Sequence, residues 1–251
     1  MLKIKNSADS AEIYISGNIV DDETGGFLEA WDEGTDYEWP KSVKEKLDAI
    51  DDDAPLTVYI NSDGGSVPAG VAIANMIARH KGKTAAVVDG WACSIATQIF
   101  FAADERKIPS NAYLMIHKPS TVAAGDANDF QKAIDALETI QEGLETTYRN
   151  AARDGVTDEQ IHQMVEDTTW LTGAEAAEFF DIELLGATQT AACAGGPVKL
   201  KNMPKGINLA DRVEEAPKPE PERGPQDADN NKMRAAIQLA IMEGEILDEE
   251  I

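Results

Sequence analysis

Cysteine is nearly missing from this chain of 251 residues, with Cys93 and Cys193 the two present. Two thiols so far apart give no disulfide framework of the kind that staples small secreted domains. The first residues, Met1-Leu-Lys-Ile-Lys-Asn-Ser, have no apolar stretch after their lysines and do not read as an export signal. Free thiols in a reducing cytoplasm are therefore expected. Histidine is almost as scarce: His80, His117 and His162 are all there are. No His/Cys/Asp set has the spacing of metal ligands, so neither a metal nor another cofactor is expected. Long apolar runs are also missing. Ala85–Val88 and Ile99–Ala103 end at charges or glycines, far short of the roughly 20 residues that span a bilayer. Basic residues are in deficit, 22 against 46 acidic, for a net charge of −24. Such a surface repels a phosphate backbone, which removes nucleic acid from the expected partners. No GxxxxGK[ST] motif occurs, so no ATPase activity of its own is expected.

What is present is enough for one sizeable core, or a core with an appendage: 43% of the residues are hydrophobic. Leu2–Lys5 and Glu12–Val20 read as strands, the second alternating with period two. The acidic, aromatic stretch Asp21–Pro40 reads as an ordered loop or short helix. Helices are expected over Ser42–Ile50, Pro68–Lys81 and Ser94–Ala103, with strands over Leu56–Asn61 and Thr84–Asp89 between them. Lys107–Pro109 and Ala112–Ile116 read as short strands. This alternation predicts an α/β domain with a parallel sheet and crossovers. Residues 126–153 predict one long amphipathic helix, with Phe130, Ile134, Leu137, Ile140, Leu144, Tyr148 and Ala151 recurring every three or four positions. Thr157 opens a further helix, and Thr172-Gly-Ala-Glu reads as a capping box for the next. The compact pattern ends near residue 190. Glu214–Asp229 is charged and proline-rich, with too little apolar surface to order itself. Asn231–Gly244 then regains helical spacing through Met233, Ile237, Ala240 and Ile241.

Three segments carry chemistry. Tyr59-Ile-Asn-Ser-Asp-Gly-Gly-Ser is a glycine turn after a strand. Asp89-Gly-Trp-Ala-Cys-Ser-Ile-Ala puts Ser94 at a helix start, and Tyr113-Leu-Met-Ile-His places His117 at a strand end. Each has a plain structural explanation: a turn, a helix N-cap, a core histidine. Together they are, in chain order, the parts of a serine acyl-transfer site. Such a site needs a nucleophile, a base for its proton, and backbone N–H groups for the oxyanion. Ser94 would be the nucleophile and His117 the base, with the N–H groups of Gly65 and Ile95 holding the negative oxygen. His80 and His162 look like exposed helix residues.

These segments resemble those of the Clp protease proteolytic-subunit family of serine peptidases, most closely its phage branch of head-maturation (prohead) proteases. Carrying the resemblance are Tyr59-Ile-Asn-Ser-Asp-Gly-Gly-Ser-Val-Pro-Ala-Gly, Gly90-Trp-Ala-Cys-Ser-Ile-Ala, Leu114-Met-Ile-His-Lys-Pro and Trp170-Leu-Thr-Gly-Ala-Glu-Ala-Ala-Glu-Phe-Phe-Asp-Ile. It spans roughly residues 10–188. The resemblance implies a crotonase-like core of repeated β-β-α units, in which residues 126–153 form a handle helix. It also implies Ser94 and His117 as catalytic pair and Gly65 and Ile95 as oxyanion donors. The family's acid position falls on Thr168, so three possibilities stay open: Asp167 one residue earlier, Asp181 after the last helix, or a Ser–His dyad. The implied division is a peptidase domain over 1–190, an acidic linker over 191–230, mostly disordered, and a C-terminal amphipathic assembly segment over 231–251. The implied function is an ATP-independent serine endopeptidase that forms ring-type homo-oligomers and cleaves capsid or scaffold proteins. It would act in the host cytoplasm or inside a prohead. The competing readings are an inactive scaffold-like relative and an acyl-CoA hydratase or isomerase of the crotonase fold.

Overall fold

A strand that buries one face declares itself by alternation. In β1 (Ala11–Ile19), Ala11, Ile13 and Ile15 are buried while Glu12, Tyr14 and Ser16 point the other way. The structure is a computed structural model that describes residues 10–31 and 36–186. β3 (Leu56–Gly65) runs parallel to β1 and repeats its pattern, burying Leu56, Val58 and Ile60. β4 (Thr84–Cys93) lies parallel on the far side of β3, with Ala86 and Val88 inward. The helix α3 (Val67–Ala78) connects β3 to β4, and α4 (Ala96–Phe101) leads out of β4. They set Ile73, Ile77, Ile99 and Phe100 against the inward residues in one continuous core. Each fully buried Ile or Val side chain contributes about 1.5–3 kcal/mol relative to exposure.

The sheet extends outward in the order β2-β1-β3-β4-β5-β8, with β2 (Tyr37–Glu38), β5 (Glu105–Pro109) and β8 (Glu183–Leu185) all parallel to their neighbours. β4 forks it. Its first half pairs with β5, and its second half, Trp91–Cys93, pairs with β6 (Tyr113–Ile116). The fork places the end of β6 beside the end of β4, and this juxtaposition builds the site. β7 (Thr169–Thr172) pairs antiparallel with β6 on the side away from β4. α2 (Pro40–Asp48), α6 (Asp158–Glu166) and α7 (Gly173–Phe179) complete the layer, the last two opened by full capping boxes at Thr157 and Thr172. Glu38 of β2 and Lys46 of α2 form a buried ion pair.

The chain divides into two units. Of the described residues, 10–119 and 140–186 belong to the first and 120–139 to the second. The helix α5 (Ala127–Ala151) is continuous for 25 residues. Within the second unit it exposes Phe130 and Ile134, 47% and 48% accessible, beside the half-buried Leu137.

Several expectations needed adjustment. Of the two readings of the stretch after Asp21, loop or short helix, the helix holds for α1 (Asp22–Trp31), started by the Asp21 carboxylate accepting the Thr24 N–H at 2.8 Å. The helix expected from Ser94 begins two residues later, because Ser94 itself is left-handed. β3 and β4 run on through Gly65 and Cys93, past the polar residues at which a sequence pattern stops. β7 and β8 were not foreseen; they are short and lie at the edge of the hydrophobic signal. The Leu2–Lys5 strand, Cys193, the linker and the Asn231–Gly244 helix lie outside the described residues.

Candidate active site

Three strand ends build the site. On β3, Ser62 is fully buried; its Oγ donates to Gly17 O at 2.6 Å and accepts the Gly64 N–H at 3.1 Å, which fixes the turn that follows. Gly64 sits at φ 92, and a Cβ there would lie 2.6 Å from Cys93 O and 2.7 Å from Ser94 Cβ. Glycine is therefore required for this loop to reach the serine. The Gly65 backbone lies in the same turn at φ 143.

β4 reaches the site through a bulge. Ile60 pairs with Val88, and the next pair is Ser62 with Ala92, so residues 89–91 face Asn61 alone. The Asn61 Oδ1 accepts the Trp91 N–H at 3.4 Å and fills the space where Gly90 has no Cβ. Bulges of this kind re-aim the side chains beyond them. Beyond this one, Ser94 turns left-handed at φ 54, with its N–H donating to Met115 O at 2.8 Å. The chain then enters α4 through Ile95 at φ −63, ψ −20. Ser94 is thus a strained strand-to-helix elbow and not an N-cap, a geometry that projects a nucleophile out of its sheet. The Ile95 N–H precedes the first bonds of the α4 turn, which run from Thr97 N–H to Ser94 O and from Gln98 N–H to Ile95 O.

β6 supplies the histidine. Its pairing of Met115 with Cys93 brings the next turn of chain over the elbow, and His117 Nε2 stands 2.7 Å from Ser94 Oγ. Burial pushes the His117 pKa below its ordinary 6.5, because imidazolium loses hydration there. The ring is therefore neutral at neutral pH. With Nε2 accepting the serine proton, Nδ1 carries the ring hydrogen. The neighbouring Cys93 thiol does not compete as a nucleophile: it is buried, and that burial drives its pKa far up.

The structure brings Ser94 and His117 together, and among the described residues no carboxylate is hydrogen-bonded to them. Asp167 is the exposed C-cap of α6; its amide donates to Gln163 O, and its side chain makes no hydrogen bond to His117. Asp181 instead faces Arg106, with Oδ2 3.3 Å from Nη2. The β6–β7 register, in which Ile116 pairs with Thr169, places Thr168 opposite His117 when continued by one residue. Thr168 holds φ 55, an outlier for a β-branched residue. His80 and His162 lie elsewhere with partners of their own: His80 Nε2 is 2.7 Å from Ala54 O, and His162 Nδ1 is 3.0 Å from the buried Glu145. Sequence reasoning passed over Ser62, Asn61, Thr97 and Tyr148. Only the glycines beside Ser62 and Asn61 hinted at them. Among the described residues no group of His, Cys, Asp and Glu is placed to hold a metal ion.

A strand–elbow–helix serine under a strand-borne histidine, on a parallel sheet, defines a serine-hydrolase-like α/β protein. The Clp protease family model matches residues 43–180, more than half of the chain, and the chain belongs to that family. It is 33% identical to the ATP-dependent Clp protease proteolytic subunit 1 of Streptomyces coelicolor over 152 residues, covering 59% of this chain and 68% of that one. With the corresponding subunit of Bacteroides fragilis it shares 28% identity over 135 residues, 53% of this chain and 64% of that protein. The chain thus spans 64–68% of these two relatives' length. Among solved structures, a mutant form of ClpP1 from Listeria monocytogenes superposes with a TM-score of 0.54 at 25% identity, over 70% of this chain and 91% of that one. The α/β fold with its parallel sheet is the Clp-protease-like fold expected from the sequence. No helix among the described residues is long and apolar enough to cross a membrane.

Proposed function

We propose that this protein is a serine endopeptidase working through a Ser94–His117 dyad. The observation that carries this reading is the 2.7 Å approach of His117 Nε2 to the Oγ of a left-handed Ser94. In the proposed step, Ser94 Oγ attacks the peptide carbonyl while its proton passes to His117 Nε2. The tetrahedral oxyanion is held by the Gly65 and Ile95 N–H groups. His117 then returns the proton to the leaving amine, and water hydrolyses the acyl-enzyme by the same route. The chain assembles, in this reading, into a ring-type homo-oligomer through surfaces that include the exposed apolar stripe of α5. Its substrates are capsid or scaffold proteins of a virus head. This substrate class rests on the resemblance of the four motifs to the prohead branch and on the acidic tail after residue 190.

The test is labelling with a serine-directed fluorophosphonate, followed by peptide mapping. The reading expects one adduct, at Ser94, that disappears in Ser94→Ala, together with cleavage of the capsid or scaffold proteins encoded beside it. A folded wild type that takes no label would instead support an inactive scaffold, the reading favoured by the absence of a carboxylate bonded to His117 among the described residues. A protein that hydrates or isomerises acyl-CoA would support the hydratase class.

A further inference from the structure

A serine at φ 54 persists only where its neighbours over-determine it. At Ser94 three hydrogen bonds do so. Its N–H donates to Met115 O at 2.8 Å, and its carbonyl accepts from the Thr97 N–H at 3.0 Å and from Thr97 Oγ1 at 2.6 Å. The last bond continues outward. Thr97 is fully buried, and its Oγ1 lies 2.7 Å from the hydroxyl of Tyr148, which is 1% exposed. Thr97 has one hydroxyl hydrogen, and it goes to Ser94 O, so Tyr148 donates to Thr97. The Tyr148 ring is fixed in turn, edge-on to Phe101 and tilted against Phe180. One residue along, Gln98 Nε2 donates to Leu144 O, so α4 is tied to α5 at two successive positions.

We propose that Thr97 and Tyr148 are positioning residues for the nucleophile and its oxyanion donor; this rests on Ser94 being the nucleophile. The Ser94 carbonyl and the Ile95 N–H belong to one planar trans peptide and point in opposite directions. Two bonds on the carbonyl oxygen therefore aim the Ile95 N–H, and the same two bonds keep Ser94 left-handed beneath His117. A threonine that merely bonds back to a preceding carbonyl is common in helices. Here the carbonyl belongs to the left-handed residue ahead of the helix, and a second element, α5, supplies the bond that orients the threonine. Loss of the pair misaims a group that acts on the transition state, so kcat should fall while KM holds.

The experiment compares Thr97→Val, Tyr148→Phe and Thr97→Ser in the full chain. Steady-state kinetics on a small peptide and the rate of fluorophosphonate labelling are the readouts. Thr97→Val keeps the shape and removes both hydroxyl bonds; its kcat and labelling rate should fall about tenfold to a hundredfold, with KM within about twofold. Tyr148→Phe removes the outer bond and should show a smaller fall of the same kind. Thr97→Ser restores the hydroxyl and should recover most of the rate. Ile161→Val, a core change in α6, controls for stability alone: it should lower Tm without altering kcat. Wild-type kcat and labelling in both Thr97→Val and Tyr148→Phe would overturn the proposal while leaving Ser94 as nucleophile. If Thr97→Val does not fold, Tyr148→Phe decides. A wild type unlabelled at Ser94 would remove the nucleophile itself, and the proposal with it.

Discussion

Among the described residues of the protomer no carboxylate is bonded to His117, and this sets a sharp expectation for Asp167→Asn and Asp181→Asn. In a hydrogen-bonded triad, losing the acid costs about 10⁴ in kcat, because the imidazole loses its tautomer and its orientation. That corresponds to about 5.4 kcal/mol. Asp167 is exposed and makes no bond to His117, leaving only a solvent-screened Coulomb interaction. Even if the two groups came within about 7 Å, unit charges at that separation in water interact by ~0.6 kcal/mol, a factor of about three in rate. Asp181 is engaged by Arg106 and 76% exposed, so its removal should matter even less. Each variant should therefore keep kcat/KM within about threefold of wild type. The assay is hydrolysis of a fluorogenic peptide, checked by fluorophosphonate labelling to count active sites and by circular dichroism to confirm folding. A fall of a hundredfold or more in folded Asp167→Asn would refute the dyad. It would mean that assembly turns the α6–β7 corner, with its left-handed Thr168, so that Asp167 meets His117.

The pH profile offers a second check. Only neutral imidazole accepts the serine proton, and burial disfavours the imidazolium of His117, so activity should rise with pH and reach half-maximum below about 6.5; a midpoint above 7 in kcat/KM would contradict this environment. The buried Glu38–Lys46 pair predicts a stability effect: Lys46→Ala strands a buried carboxylate and should cost about 3–5 kcal/mol in urea unfolding, whereas the double variant Glu38→Gln/Lys46→Met should recover most of it. Failure of the double variant to recover would locate the cost in packing. For assembly, Ile134→Asp with Leu137→Asp should dissociate the oligomer in analytical ultracentrifugation, because the stripe is left uncovered on α5; a wild type that sediments as a monomer at micromolar concentration would remove that surface from the proposal.

The sequence by itself determined much of this protein, because the relevant physics is local. Period-two burial in β1 and β3, the helical period of α5, and the capping boxes at Thr157 and Thr172 are written in neighbouring residues. Ser94, His117, Gly65 and Ile95 were legible as candidates because glycine, serine and histidine occupy turn and strand-end positions where plain packing needs none of them in that order. Their meeting was decided by tertiary structure. The two-residue bulge opposite Asn61 and the fork of β4 between β5 and β6 depend on pairings across roughly twenty to thirty residues. So does the left-handed turn at Ser94, since Met115 and Thr97 hold it and Tyr148 from α5 holds Thr97. Whether Asp167 or Asp181 lay near His117 was likewise beyond the sequence. The direction of a side chain at a helix C-cap, or after the final helix, is fixed by what packs around it and not by the residues beside it in the chain.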